Sequence, residues 1–282
     1  MSSIGTNKKQ FIVDALRCTG CQLCVIACKD EHVGNGYPPW TMPQPDTGHF
    51  WIRVPTIERG QIPRVSVRHL PLFCQHCDNA PCIKVCPEEA IRKRDDGLVW
   101  IDPEKCKGCQ LCQEACPYDV IYFNEDLGIA QKCTGCVHRV EKGDPPRCVE
   151  ICPHDAILFG DEEREGMEKE AFELLHPEYE AKPRVYWKGL PKPYIAGTVI
   201  DSEEGEVIAQ ARVAVVDLFN DRSFSAWTDA FGDFWIRDLE EHHKYKVEIE
   251  KENYKKVVRV VTTNLVCDLG EVHVTRVSRR ES

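Results

Sequence analysis

The chain has 282 residues, and 36 Lys and Arg against 46 Asp and Glu give it a formal net charge of −10. A hydrophobic fraction of 42% supports packed cores and excludes global disorder, while the acidic surplus argues against a nucleic-acid-binding face. Length suggests one or two domains, and no stretch approaches the roughly 18 apolar residues of a membrane span.

Cysteine usage sets this sequence apart. Of 17 cysteines, 16 fall between Cys18 and Cys152, and only Cys267 lies beyond. Met1 to Gln10 has no apolar h-region, so no secretory signal is expected. Dense thiols in such a chain read as metal ligands in a reducing compartment rather than as a disulfide scaffold. The expected location is cytoplasmic.

In chain order, residues 1–160 form a cysteine-rich domain with an insert at 29–73. Its first quartet is Cys18-x2-Cys21-x2-Cys24-x3-Cys28. The second is Cys74-x2-Cys77-x4-Cys82-x3-Cys86-Pro87, followed by a hairpin signal from Arg92 to Asp102 around Asp95-Asp96-Gly97. The third is Cys106-x2-Cys109-x2-Cys112-x3-Cys116-Pro117, and the fourth Cys133-x2-Cys136-x11-Cys148-x3-Cys152-Pro153. Residues 161–193 form a charged connector. Apolar positions at Met167, Ala171, Phe172, Leu174 and Leu175 behind Asp161 predict a surface helix, and four prolines from Pro177 to Pro193 predict extended chain. Residues 194–282 read as an all-β sandwich or barrel, antiparallel, with about seven strands: Tyr194–Ile200, Ala211–Phe219, Ser223–Thr228, Gly232–Arg237, Tyr245–Glu250, Lys256–Val261 and Val266–Val274. His242 and His243 fall at a turn and read as solvated, and Cys267 as a small buried hydrophobe.

The third quartet has the bacterial ferredoxin spacing, and the others vary its loops. Three thiolates at two-residue intervals grip three irons of one cubane. The fourth is expected to begin a helix pointing away, with proline in its first turn, and to ligate the other cluster of a pair. Adjacent second and third quartets form one two-cluster unit, and the first and fourth form the other. Four [4Fe-4S] sites follow. The first is Cys18, Cys21, Cys24 and Cys152, and the next is Cys28, Cys133, Cys136 and Cys148. The others are Cys86, Cys106, Cys109 and Cys112, and Cys74, Cys77, Cys82 and Cys116. Structural zinc is the rival, but paired knuckles serving one tetrahedral ion fit a Cys-x2-Cys-x2-Cys triplet poorly. The fold class is therefore α+β, with two ferredoxin-like two-cluster units and a β-module.

Four oxidised clusters would bring the charge to about −18. Basic residues beside ligands are candidates for tuning: Arg17, Lys84, Lys105, Lys107, Lys132 and Arg147. With every iron served by cysteine, His76, His138 and His154 are expected to hydrogen-bond or pack.

Two resemblances follow from these motifs. Gly197-Thr-Val-Ile-Asp, Ala211-Arg-Val, Thr228-Asp-Ala-Phe-Gly-Asp-Phe and Tyr245-Lys-Val-Glu-Ile resemble transthyretin-like or carboxypeptidase-regulatory-like modules. Phe73-Cys-Gln-His-Cys-Asp-Asn-Ala-Pro-Cys-Ile-Lys-Val-Cys-Pro and Lys132-Cys-Thr-Gly-Cys with Pro146-Arg-Cys-Val-Glu-Ile-Cys-Pro resemble the electron-transfer subunits of the dimethyl sulfoxide reductase family. Trp40, Trp51, Arg53 and Glu58-Arg-Gly in the insert fit that family, in which the segment packs against a large catalytic subunit. Glu31-His32, Lys182-Pro-Arg-Val-Tyr-Trp-Lys-Gly-Leu and the β-module resemble, within it, small subunits of pyrogallol–phloroglucinol transhydroxylase and related phenol hydroxylases.

The resemblance implies an electron-transfer subunit with no catalytic residue of its own. Its partner would be a large subunit holding a molybdenum or tungsten bis-pterin guanine dinucleotide centre that acts on hydroxylated aromatics. An external electron carrier would complete the path, with no nucleic acid and no direct membrane span. The order implied runs from the Cys18 cluster, nearest the catalytic subunit, to the Cys74 cluster, farthest away. Relatives that leave the cell do so bound to a partner bearing a twin-arginine signal, which keeps export open. The alternatives are the electron subunit of a respiratory reductase or formate dehydrogenase with a quinone-linked partner, and a zinc-stabilised interaction module.

Overall fold

The run Phe11-Ile-Val is apolar without alternation, the pattern of a strand covered on both faces, and these residues are all buried in β1 (Lys9–Asp14). The computed structural model describes residues 8–62, 64–162, 172–264 and 267–277. It divides into two compact units, Met1–Ile57 with Arg68–Leu190, and Glu58–Val67 with Pro191–Ser282.

In the first unit, β1 is followed by α1 (Leu23–His32), the longest helix among the described residues. Next along the chain come a hairpin, β2 (Thr56–Gln61) and β3 (Arg64–His69), most of which belongs to the second unit, and then the single turn α2 (Pro81–Lys84) of the first. The hairpin β4 (Ile91–Lys93) and β5 (Val99–Ile101) then leads to the short α3 (Leu111–Glu114). Another hairpin, β6 (Tyr122–Asn124) and β7 (Ile129–Gln131), precedes α4 (Val137–Val140) and α5 (Arg147–Glu150). The unit closes on β8 (Ile157–Asp161), β9 (Glu173–Leu174) and β10 (Val185–Lys188), which join β1 in the order β8-β1-β10-β9. β1 pairs antiparallel with β8 and parallel with β10.

Two expectations change here. Asp161 ends a strand and Glu173–Leu174 forms another, so neither end of the helix expected over 161–175 is helical. The pairing of these residues with the β1 sheet overrides the helical spacing, and 163–171, including Met167 and Ala171, lie outside the described residues. Nor do the fourth cysteines begin helices. Cys86, Cys116 and Cys152 stand just past the C-caps Val85, Ala115 and Ile151. The prolines after them stop the helices, since proline cannot supply the N–H that a continuing turn needs.

Arg184, with 2% of its side chain exposed, ties this unit together. Its Nε donates to the Lys9 carbonyl at 2.9 Å, and its guanidinium pairs with Asp78 at 3.2 Å and with Glu162. Arg184→Ala leaves both carboxylates without their buried partner and is expected to lower stability by about 3 kcal/mol. A chemical-denaturation curve on the cluster-loaded protein measures it.

In the second unit all seven runs form strands: β11 (Ile195–Asp201), β12 (Arg212–Asp217), β13 (Ser223–Trp227), β14 (Asp233–Ile236), β15 (Lys244–Glu250), β16 (Val257–Thr262) and β17 (Cys267–Val274). Sheets β14-β11-β17 and β13-β12-β15-β16 supply the alternating residues of one core, among them Val199, Val213, Val215, Phe234, Tyr245, Val247 and Val272. The arrangement is not wholly antiparallel, because β17 returns beside β11 in parallel. Cys267 is half-buried against this core. His243 is not simply solvated: its Nδ1 lies 2.8 Å from Oδ2 of the buried Asp217.

The hairpin residues Glu58–Val67 belong to this unit. Tyr194 Oη donates to the carbonyls of Arg59 at 3.0 Å and Arg64 at 2.9 Å. Arg64, buried, pairs with Asp233 at 2.9 Å and Asp268 at 3.2 Å and donates to Thr198. Gly60 has φ +107°, and a Cβ there would strike Tyr194 Oη and the Arg64 carbonyl, so glycine is required.

Candidate metal centres

Each centre begins with a backbone turn. Gly20 and Gln22, Gly108 and Gln110, and Gly135 and Cys136 all hold positive φ within or just after a Cys-x2-Cys loop. Successive residues of this kind turn backbone N–H groups towards one concavity, which suits an anion. Glu89, Asp119 and Asp155 repeat the same left-handed turn three residues after Cys86, Cys116 and Cys152, donating their N–H groups to those cysteines' carbonyls at 3.3, 3.2 and 3.3 Å.

These turns gather the sixteen thiols of the quartets into four foursomes, all in the first unit. Cys18, Cys21, Cys24 and Cys152 line one cavity. Cys28, Cys133, Cys136 and Cys148 line another, walled by Phe11, Trp51 and Phe73. Cys77 lies within the electrostatic reach of Cys74, Cys82 and Cys116, and Cys112 within that of Cys106, Cys109 and Cys86.

The foursomes also stand side by side in a row, neighbouring sets sharing hydrophobic clusters. Cys28 and Cys148 both feel Cys24, Cys133 feels Cys74, and Cys82 feels Cys112. The Cys74 group is therefore interior, which corrects the order expected from the resemblance. The far end is the Cys86, Cys106, Cys109 and Cys112 group, because the second quartet folds back between its neighbours. Cys21 at one end and Cys109 at the other are exposed.

As free thiols these groups resist ionisation. Burial, then the charge of neighbouring thiols, raises Cys24 to about 12, with Cys112 at about 11 for the same reasons. Burial likewise pushes Cys133 up to about 12 and Cys28 and Cys148 well above the usual thiol value. Only a bound cation lets so many thiolates share so little space. Backbone N–H groups already point at the sulfurs: Gly135 at Cys133 (3.3 Å), Ala156 at Cys152 (3.3 Å), Ala130 at Cys106 (3.4 Å) and His76 at Cys74 (3.4 Å). Among the described residues no three His, Cys, Asp or Glu side chains converge closely enough to hold a single ion. A set of four thiols around one cavity, with N–H donors to its sulfurs, fits a polynuclear cluster.

Because ligation requires deprotonation and burial has raised the thiols, cluster retention falls as pH falls. Iron loss to a competing chelator is expected to be markedly greater at pH 6 than at pH 8.

Of the basic candidates, Arg17, Lys84, Lys105 and Lys107 are exposed, Arg147 is half-buried, and Lys132 is buried. Arg147 pairs with Glu150 at 2.6 Å. Glu31 receives His138 Nε2 at 2.9 Å and Arg139 at 3.5 Å. Although burial opposes it, these partners hold the Glu31 carboxyl below its usual range. His138 also stacks on Tyr37 at 3.6 Å, and His154 stays exposed beside the first cavity. His32, named above only for the resemblance it carries, is buried with its Nε2 4.0 Å from Cys136 Sγ. Its signal was available: it stands four residues after Cys28 on one helix face. The insert residues Trp40 and Trp51 turn inwards, Trp51 fully buried.

Comparison with known proteins agrees with this architecture. The 4Fe-4S dicluster domain matches residues 65–162, and the carboxypeptidase regulatory-like domain matches 194–272. The chain is 36% identical over 271 residues to the pyrogallol hydroxytransferase small subunit of Pelobacter acidigallici, covering 92% of this chain and 97% of that one. It is 36% identical over 198 residues to a tetrathionate reductase subunit of Salmonella typhimurium, covering 66% and 74%. It is 38% identical over 169 residues to a polypeptide of the anaerobic dimethyl sulfoxide reductase of Escherichia coli, covering 55% and 74%. The first unit is thus an iron–sulfur domain. The chain belongs to the iron–sulfur electron-transfer subunits of the dimethyl sulfoxide reductase family of molybdopterin enzymes, whose members work beside a catalytic subunit. Among the described residues no helix is long and apolar enough to cross a membrane.

Proposed function

We propose that this chain carries four [4Fe-4S] clusters in a row and conducts electrons between a molybdenum or tungsten bis-pterin subunit acting on hydroxylated aromatics and an external redox partner. The observation that carries the reading is the row itself, four adjacent thiol foursomes with exposed cysteines at its two ends. Cys18, Cys21, Cys24 and Cys152 hold the first cluster, and Cys28, Cys133, Cys136 and Cys148 the second. Cys74, Cys77, Cys82 and Cys116 hold the third, and Cys86, Cys106, Cys109 and Cys112 the last.

Bound clusters supply one-electron carriage with little rearrangement. The polypeptide's part is to fix their spacing, donate N–H groups to their thiolates and exclude water with Phe11, Trp51 and Phe73. Support for an aromatic substrate is that the matched stretch of a pyrogallol hydroxytransferase small subunit extends over 92% of this chain.

Transfer of a hydroxyl between two phenols needs no outside electrons, whereas an unbroken row of sixteen ligands serves net oxidation or reduction. We therefore assign the complex a hydroxylation or reductive dehydroxylation that draws on an external carrier. Oxygen-free preparation with its co-purifying subunit is expected to give about 16 iron and 16 sulfide per chain, no zinc, and a paramagnetic signal after dithionite. Turnover on a polyhydroxylated aromatic should then stop when the external acceptor or donor is withheld. Stoichiometric turnover without one would contradict the assignment.

A further inference from the structure

We propose that Lys132, with His76 beside it, is the resident countercharge that keeps the two inner clusters reducible. The proposal rests on the four-cluster reading above. Lys132 is 2% exposed. Its ammonium donates to the carbonyls of Val99 and Cys133, the latter at 3.0 Å, and among the described residues no carboxylate pairs with it. An ammonium buried without a carboxylate is costly unless other negative groups face it. The groups that face this one are thiols of both inner sets: Cys133 on one side and Cys82 and Cys116 on the other, each of whose thiolates it favours.

His76 occupies the same gap. It is buried, and the Val99 N–H donates to its Nδ1 at 3.0 Å, so the ring's single proton sits on Nε2. That nitrogen lies 3.9 Å from Cys133 Sγ, where it donates to the thiolate. One residue therefore aims both groups: Val99 holds the imidazole through its N–H and the ammonium through its carbonyl.

The physical need is specific to the inner pair. An added electron deepens a cluster's negative charge. At the row's ends, exposed Cys21 and Cys109 let water stabilise it. The inner pair is closed off by buried Cys28, Cys136, Cys148, Cys74 and Cys77, so the protein must supply the positive charge itself. Arg139 and Arg147 also face Cys136, but Glu31 and Glu150 engage them.

Redox titration of the oxygen-free protein, followed by paramagnetic resonance, tests this without turnover. Lys132→Met should move two of the four midpoint potentials negative by about tenfold or more in reduction equilibrium, 59 mV per tenfold for one electron. Lys132→Arg should leave them in place. His76→Asn keeps an acceptor for Val99 but loses the donor to sulfur, and should lower one midpoint. His76→Gln keeps a donor near Nε2 and should not. Four unmoved midpoints in an iron-replete Lys132→Met, or an equal shift of all four, would overturn the proposal. If Lys132→Met loses iron, identical midpoints in His76→Asn and His76→Gln overturn it instead. A wild-type chain with iron well short of about 16 overturns the four-cluster reading before any variant is compared.

Discussion

Cys152→Ala is expected to damage the cluster held by Cys18, Cys21 and Cys24 and to spare the one held by Cys133, Cys136 and Cys148. Sequence proximity says the reverse, since Cys152 stands four residues after Cys148 and 128 after Cys24. Packing decides otherwise: Cys152 lines the first cavity with Cys18, Cys21 and Cys24, while Cys148 lines the second with Cys28, Cys133 and Cys136. The helix α5 that carries Cys148 ends before Cys152, and Pro153 turns the chain away. Iron should fall from about 16 per chain to between about 12 and 15, according to whether the cluster is lost or reduced to three irons. Cys28→Ala should damage the second cluster instead. A Cys152→Ala protein whose altered resonance behaves like that of Cys28→Ala would refute the crossed assignment.

Removing all the iron is expected to unfold the first unit and leave the second standing. The hydrophobic clusters of the first unit are built partly from the thiols themselves, Cys24, Cys28 and Cys148 in one and Cys74, Cys77 and Cys112 in others. Helices α2 to α5 have four residues each, too short to persist without what they pack on. Structural metal sites contribute on the order of 10 kcal/mol, comparable to the whole stability of a domain. The second unit owes its core to Val199, Val213, Phe234, Tyr245 and their neighbours instead. Oxidation with ferricyanide and chelation should therefore remove one of two thermal transitions and leave a β-rich circular dichroism spectrum. Survival of both transitions would mean that the clusters do not hold the fold.

Much of this was legible in the residues because spacing carries geometry. The cysteine intervals grouped the thiols, and alternation located all seven β-module strands within a residue or two, as at Ser223–Trp227 and Lys244–Glu250. What escaped depends on distant pairing. Nothing local says that Asp161 joins β1, that β17 lies parallel to β11, or that the second quartet folds between the others. Lys132 and Lys107 look alike in sequence beside their cysteines. Only packing buries the first and leaves the second in water.

The loop Glu58–Val67 interrupts the iron–sulfur part of the chain yet is counted with the β-module, held by Tyr194 and by Arg64 against Asp233 and Asp268. The backbone thus crosses from one unit to the other three times, and the module is no detachable tail. Cutting the gene after Leu190 would strand a guanidinium built for burial, so a cassette exchange between relatives must carry this ten-residue finger along with the strands that grip it.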